Sequence, residues 1–372
     1  MEVRFELTSC ILVISPEPWA ENHVSKHHYA LELSRRGHKV VFYGPPSAQG
    51  PLRIVPVVDA PGDLHVLHAK RVAPGLRFLP PILRRALETR WLAKVEQIAG
   101  TPIDVVWSFE NSRFFDMSFA GQRLKIYQQV DLNQNFRPDL AAKTADLSIA
   151  ISGPIEQRIA PSARNLIRIT HGVAKQHATG PAPDGLKSDF ARARINAVLV
   201  GNLDIAYLDV ELLTRLVADH PDTRFHFVGP FTPNQGLHGA VVYASNVRFW
   251  GRQPARVLPC FLEQADVLLL AYLAESHLDQ LANPHKTMEY LASGRCVLAT
   301  RTLEYDHRPD LIEIASDRDD YARRFAAIVA DSAASNRPEQ IARRQDFARD
   351  NTYTRQLDRI VQALGPRGGQ IS

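Results

Sequence analysis

Apolar and polar positions fall in repeating blocks along the first half of the chain. "CILVIS" is a short apolar run closed by prolines. "HVSKHHYALELSRRG" follows, with apolar residues at helical spacing as far as Gly37, and then a second apolar run, "HKVVFYG". "DVVWSFEN", "LKIYQQVD" and "DLSIAISG" repeat the theme, each ending in polar residues. Short apolar runs separated by helical stretches predict buried parallel strands with helices on both faces. The stretch "GVAKQHATGPAPDGLKSD" is rich in Gly, Pro and charge and reads as a connector. The pattern then restarts. "INAVLV", "TRFHFV", "NVRFW", "ADVLLLAYL" and "RCVLAT" read as strands. "LDVELLTRLVADHP" and "NPHKTMEYLASG" read as helices, and "ARVLPCFLEQ" as a helix broken or capped by Pro259.

A length of 372 residues suits two domains. The predicted fold class is α/β, with two Rossmann-like domains facing across a cleft. The first spans 1–172, a linker 173–194, and the second 195–350. A terminal helix over 351–365 is expected to pack back on the first domain, and the residues after Gly365 to be disordered. Open α/β sheets bind ligands at the carboxyl ends of their strands, so function is sought there.

Charge narrows the ligand class. A net charge of +4 and a pI near 9.0 favour acidic small molecules or anionic surfaces and fall short of a nucleic-acid-binding signature. Cys10, Cys260 and Cys296 lie too far apart for a metal site or a disulfide framework, which fits a reducing cytoplasm. No apolar run approaches the roughly 20 residues of a membrane span. The first apolar run is preceded by acidic residues rather than a basic signal-peptide region. A cytoplasmic protein is expected, with peripheral attachment to the inner face of the membrane as an option. The βα turns "SPEPWAEN" and "GNLD" lack a G-x-G-x-x-G, which disfavours a dinucleotide enzyme, and no phosphate-binding P-loop is present.

The helix predicted over 284–293 carries the sharpest chemistry. Asn283 is a candidate cap, Pro284 suits the first helical position, and Gly294 suits the position past the end. At about 100° per residue Lys286, Glu289, Tyr290 and Ser293 share one face, and Thr287, Met288, Leu291 and Ala292 another. The first face is expected to point outward and the second to pack on the sheet. A lysine at a helix start after a sheet strand suits a diphosphate, and a glutamate one turn on suits vicinal ribose hydroxyls. The competing reading is a solvated Lys–Glu pair worth a few tenths of a kcal/mol.

These residues resemble a known family. "NPHKTMEYLASGRCVLAT" resembles the donor-site motif of GT-B nucleotide-sugar glycosyltransferases, and "VLVGNLD", "FHFVGP" and "ADVLLLAYL" fall in that family's order. "DVVWSFEN", "IYQQVD" and "HGV" resemble segments of bacterial exopolysaccharide glycosyltransferases such as the xanthan glucuronosyltransferase. The resemblance implies that Lys286 binds the diphosphate and Glu289 the ribose. It further implies that Gly201 and the backbone of Asn202 and Leu203 approach the phosphates, and that Tyr272 lines the nucleotide site. His171 and Gly172 would form the interdomain hinge. Many retaining members carry a second glutamate where this chain has Leu281, so an inverting reaction is expected.

Inversion needs a base for the acceptor hydroxyl, typically worth about 10²–10⁴-fold. Asp131, at the end of "LKIYQQVD", is the candidate base and matches the family's catalytic aspartate; its alternative is a helix cap. Glu110, ending "DVVWSFE", would orient the acceptor or act as the base; its alternative is a loop carboxylate in water. Lys286 and the helix start would stabilise the leaving diphosphate, so no metal and no cofactor is expected. His23, His27 and His28 read mainly as polar surface. Residues 68–94 mix Arg and Lys with Leu, Phe and Trp, and read either as a membrane-surface element for a lipid-linked acceptor or as a helix packed on the core.

The function expected is transfer of a sugar from a nucleotide-diphosphate donor, a UDP-sugar, to a saccharide or lipid-linked saccharide in bacterial polysaccharide synthesis. The alternatives are a nucleotide-sugar epimerase on the same fold and a non-catalytic nucleotide-sugar binder. Product analysis with donor alone separates the first from a transferase, and nucleotide binding without transfer marks the second.

Overall fold

The computed structural model describes residues 8–20, 23–47, 50–174, 181–278, 281 and 283–372. The chain divides into two compact units, Met1–Gly172 with Tyr353–Ser372, and Val173–Thr352.

The first unit is built on an eight-stranded sheet. Its strands are β1 (Cys10–Ile14), β2 (Lys39–Tyr43), β3 (Arg53–Pro56), β4 (Leu64–His68), β5 (Val105–Ser108), β6 (Leu124–Gln129), β7 (Leu147–Ala150) and β8 (Leu166–Arg168). They lie in the order β3-β4-β2-β1-β5-β6-β7-β8. All neighbours are parallel except β3 and β4. β1, β5, β6 and β7 are buried along their whole length, which accounts for the mostly apolar sequences of β1, β5 and β7, while β6 also buries Lys125, Gln128 and Gln129. β3 is a largely exposed edge strand and ends in a proline, which an edge tolerates.

The second unit holds a six-stranded parallel sheet. Its strands are β9 (Ile195–Val200), β10 (Thr223–Val228), β11 (Val247–Gly251), β12 (Val267–Leu270), β13 (Cys296–Thr300) and β14 (Glu313–Ala315). The order is β11-β10-β9-β12-β13-β14. Chain order reverses between β9 and β12, and ligands of such sheets bind at this kind of switch point. β9 pairs with β10 from Ile195 to Val200, but with β12 only at Ala197 and Val198. Beyond Val198 the two strands form no further pair among the described residues, and this is the kind of place where open α/β sheets have their crevice.

Three local expectations change. The expected linker contains a helix, Leu186–Phe190, whose two end residues are buried in the second unit's core. Asp189 of that helix takes a 2.7 Å hydrogen bond from Arg224 on β10. The linker residues 175–180 lie outside the described residues. The tail after Gly365 is not free chain: Gly365–Gln370 forms a 3-10 turn and Ile371 is fully buried. Pro259 lies in the first turn of the helix Leu258–Leu262 and so starts that helix rather than breaking it.

Residues 68–94 form no single element. A 3-10 turn at Leu76–Phe78 precedes the helix Pro81–Ala99, which buries Arg84, Glu88, Trp91, Leu92 and Val95. That face is the core-packed alternative. At the helix start Phe78, Ile82 and Leu83 stay exposed, 76%, 86% and 49% respectively.

Candidate functional site

In the second unit the candidate site is the crevice beside β9. The helix Lys286–Ser293 begins two residues later than the sequence predicts. His285 flanks it, with no side-chain cap, and the Pro284 carbonyl takes a turn bond from the Thr287 N–H. Lys286 is thus the first helical residue, where the free N–H groups and the dipole favour an anion. Gly294 closes the helix at φ +79°, the left-handed cap expected of it.

Burial redraws the helix faces. Thr287, Met288, Tyr290 and Leu291 are buried, and Ala292 is exposed. Tyr290 therefore belongs to the packed face. Its ring lies in the second unit's core, and its hydroxyl accepts a 2.8 Å bond from the Val200 N–H. That N–H sits where β9 and β12 have parted. The bond removes the cost of a buried, unpaired donor, about 1–3 kcal/mol, and pins the helix to the crevice. A side chain that counts as polar on a helical wheel is here a strut to the sheet.

Lys286 is partly exposed and makes no hydrogen bond or ion pair with any described residue, Glu289 included. The surface ion pair is not formed. The lysine stem lies over the turn after β9: a Cβ added to Gly201 would stand 3.6 Å from Lys286 Cε. That turn is braced from the next strand. Gly229 has φ +145°, and a Cβ there would fall 1.6 Å from the Gly201 carbonyl oxygen, so only glycine fits. Gly229 was not among the expected site residues, although its place in "FHFVGP" just after a strand was the available signal.

The backbone donors of the turn are mostly committed. The Gly201 N–H bonds the Val228 carbonyl at 2.9 Å, and the Leu203 N–H bonds that of Pro230 at 3.0 Å. The Leu203 side chain is core, and the Asn202 side chain accepts from the Asp204 N–H. Of the three residues expected to meet phosphate through their backbone, Gly201 and Leu203 have already spent their N–H groups. Leu281, at the position of the second glutamate of retaining relatives, is buried.

Tyr272 ends in a bridge to Leu208 and packs against Tyr207. Burial pushes its hydroxyl well above the ordinary phenol range. It lines a cavity of about 630 Å³ with Asp209, Thr300, Arg301 and Arg318, whose lining includes neither Lys286 nor Gly201. His171 and Gly172 are the last residues of the first unit's N-terminal segment. Gly172 is required by packing, since a Cβ would meet the Tyr353 ring at 2.5 Å. Asp317-Arg318-Asp319 spells a D-x-D, but its carboxylates are in use: Asp317 caps a helix and Asp319 pairs with Arg215 at 2.6 Å.

In the first unit the carboxyl ends of β1, β5 and β6 carry a second group of polar residues. Glu110 is buried and its carboxylate is engaged, accepting from Arg113 Nε at 2.9 Å and from the Arg113 N–H at 3.2 Å. Arg113 also bonds the Ser15 carbonyl at 2.6 Å and the Gly44 carbonyl at 2.7 Å. The pair ties the turns after β1, β2 and β5 together. Glu110 is therefore neither a free base nor a loop carboxylate in water. Arg113, three residues on, is the partner that the reading of Glu110 left out.

Asp131 is different. It does not cap the helix Pro138–Thr144, whose cap position is Arg137. No hydrogen bond or ion pair to a described residue engages its carboxylate. Burial raises its pKa, the Lys26 charge acts in the opposite direction, and Glu17 adds to the rise. Lys26 is only 3% exposed and forms an ion pair with Glu17. His27, read as polar surface, is buried. It accepts from the Val24 N–H at 3.1 Å and its other nitrogen reaches the Pro18 carbonyl at 2.9 Å. It holds the β1 turn in place.

Residues 194–331 match the family described as glycosyl transferases group 1. No curated protein shows significant similarity to the sequence. Among solved structures, the chain is similar to trehalose-6-phosphate synthase OtsA of E. coli bound with UDP-2-fluoro glucose, with 12% identity and a TM-score of 0.68 over 95% of this chain and 98% of that one. It is similar to a UDP-forming trehalose-phosphate synthase from Burkholderia xenovorans, with 13% identity and a TM-score of 0.69 over 96% and 99%. It is also similar to HepE of Anabaena in complex with UDP, with 14% identity and a TM-score of 0.64 over 95% and 99%. The fold is GT-B. The family match lies in the second unit, where Lys286 and the crevice stand, and makes the chain an enzyme of the glycosyltransferase type.

Proposed function

We propose that this glycosyltransferase takes a UDP-sugar and transfers the sugar, with inversion and without a metal, to a hydroxyl of a saccharide or lipid-linked saccharide in bacterial polysaccharide assembly. The observation that carries this reading is the unpaired Lys286 ammonium over the Gly201 turn, at the first residue of a helix and beside the β9–β12 crevice. It supplies positive charge of the kind a leaving diphosphate needs, which supports a reaction without a metal. Glu289, one turn along, binds the ribose hydroxyls. The proposal of uridine rests on the complexes of the structural relatives with UDP and a UDP-sugar. Asp131 takes the acceptor proton: its carboxylate is desolvated, which raises its basicity, and it is not consumed by a structural bond.

The experiment that tests the donor assignment is thermal unfolding with a panel of nucleoside diphosphates. UDP should raise the unfolding midpoint more than ADP or GDP at equal concentration, by mass action on the folded state. A larger shift with another base reassigns the nucleotide, and no shift with any removes the donor site from the crevice.

A lipid-linked acceptor is favoured by the surface around Phe78, Ile82, Leu83 and Phe136, all exposed. Arg77 lies over the rings of both Phe78 and Phe136, and Phe136 follows Asp131 in the same loop. Apolar side chains with interleaved cations suit an anionic lipid surface. Vesicles containing anionic lipid should sediment the protein, and Phe78→Glu with Ile82→Glu should release it. No sedimentation with such vesicles would leave a free saccharide as the acceptor, and sedimentation that the two substitutions do not alter would move the lipid contact away from this surface.

A further inference from the structure

Strand β6 lies inside its sheet, yet its carboxyl end is polar. Tyr127 and Gln129, two positions apart, share one face of the sheet, and both are fully buried. A buried amide is costly unless its donors and acceptor find partners, and an apolar side chain of similar volume would carry no such cost. The partners of Gln129 therefore show what the amide is for.

They lead to one turn. Gln129 Nε2 donates to the Asp131 carbonyl at 3.0 Å and to the Gln134 carbonyl at 3.0 Å. The Gln134 N–H closes the turn on the Asp131 carbonyl at 3.3 Å. One side-chain amide thus holds both ends of the turn 131–134. Its Oε1 is fixed as well: it accepts from the Tyr127 hydroxyl at 3.3 Å, and that hydroxyl accepts from Asn111 Nδ2 at 2.9 Å. Asn111 also donates to the Gln134 carbonyl at 2.8 Å, and Gln134 Nε2 donates to the Phe109 carbonyl at 3.2 Å. Asn111 and Phe109 belong to the segment just after β5, so two strand ends grip the turn.

We infer that Gln129 is a positioning residue for Asp131: its amide fixes the backbone from which that carboxylate projects, and Tyr127 with Asn111 fixes the amide. The inference rests on the reading of Asp131 as the acceptor base. Both donors and the acceptor of Gln129 are consumed by these bonds, so it acts through Asp131 and not on the substrate. The tie matters because a misplacement of about 1 Å can cost about 10²-fold in rate, and Asp131 stands on a turn and not within the strand.

The test is a double-mutant cycle in the full-length protein. UDP release is followed with water as acceptor, from whichever of UDP-glucose, UDP-galactose and UDP-glucuronate the wild type turns over fastest. Gln129→Met should lower the rate about 10- to 100-fold and leave the affinity for UDP unchanged. In the Asp131→Asn background the same substitution should lower the rate no further, because it acts through the group already removed. Equal losses in both backgrounds mark a merely structural residue and overturn the inference. Tyr127→Phe removes only the hydroxyl that orients the amide. It should fold even where Gln129→Met does not, and lose about threefold with the same dependence on Asp131. A second readout needs no substrate. Amide exchange over 131–134, followed by mass spectrometry, should quicken about tenfold in Gln129→Met while exchange in β1 and β5 stays as in the wild type. Unchanged exchange in the turn overturns the inference. Full turnover in Asp131→Asn is distinguishable from that result: it overturns the reading of the base, whereas the exchange reports the tie alone.

Discussion

Alanine at Lys286 is expected to weaken binding of UDP by about 10- to 100-fold, the equivalent of losing one charge-assisted contact of about 1.5–3 kcal/mol. The expectation follows from what the lysine lacks. It has no described protein partner, it starts a helix, and its stem crosses a turn held open by Gly201 and Gly229. An ammonium left unpaired at a crevice between parting strands is available to a ligand. The alternative, a solvated pair with Glu289, would cost only a few tenths of a kcal/mol on removal. Calorimetric titration with UDP distinguishes the two by more than an order of magnitude in affinity. The unfolding midpoint of the free protein should stay within a degree or two, because the truncation removes no described hydrogen bond. Unchanged affinity with an unchanged fold would take the diphosphate away from this helix.

Asparagine at Asp131 is the second large effect. It keeps shape and hydrogen-bonding capacity but cannot accept a proton, so turnover should fall about 10²–10⁴-fold while UDP affinity, set in the second unit, stays the same. The pH dependence carries a sign. Burial raises the Asp131 pKa, and the base works only when ionised. Wild-type turnover should therefore decline on acidification from a higher pH than an ordinary aspartate would give. The acidic limb should vanish from the residual activity of the variant. A near-normal rate in Asp131→Asn, with a large loss in Glu110→Gln, would exchange the two carboxylates. The structure argues against that exchange, because Glu110 is tied by Arg113 to turns on three strands.

The places of Lys286 at a helix start and of Asp131 just past a strand were legible in the sequence for the same reason. Each ends or follows a run whose pattern is local: an apolar strand, then a polar residue at its carboxyl end, or a helix bounded by Pro284 and Gly294. Tyr290 was misplaced because a helical wheel weighs only the angle and the side-chain class. Its position is decided by the Val200 N–H, ninety residues away, which has no strand partner once β9 and β12 separate. The engagement of Glu110 was not legible because Arg113, which binds it, is itself held by the Ser15 and Gly44 carbonyls in the turns after two other strands. The burial of Lys26 and His27 was hidden for a related reason. Both lie in "ENHVSKHH", which looks polar in sequence, and the turn that covers them is folded by contacts to Glu17 and Pro18.

The sequence by itself determined the order of strands and helices, the two-sheet α/β architecture, the switch-point helix and the lysine at its start. These depend on apolar periodicity and on Pro and Gly punctuation, which act over a few residues. Only the tertiary structure decided which polar groups remain available for a ligand. Gly201 and Leu203 spend their N–H groups on the end of β10 and the turn after it, Glu110 is spent on Arg113, and Lys286 keeps its charge free of described partners. The physical reason is that a buried polar group must find a partner, and the partner is chosen by distance in space, which local sequence does not encode.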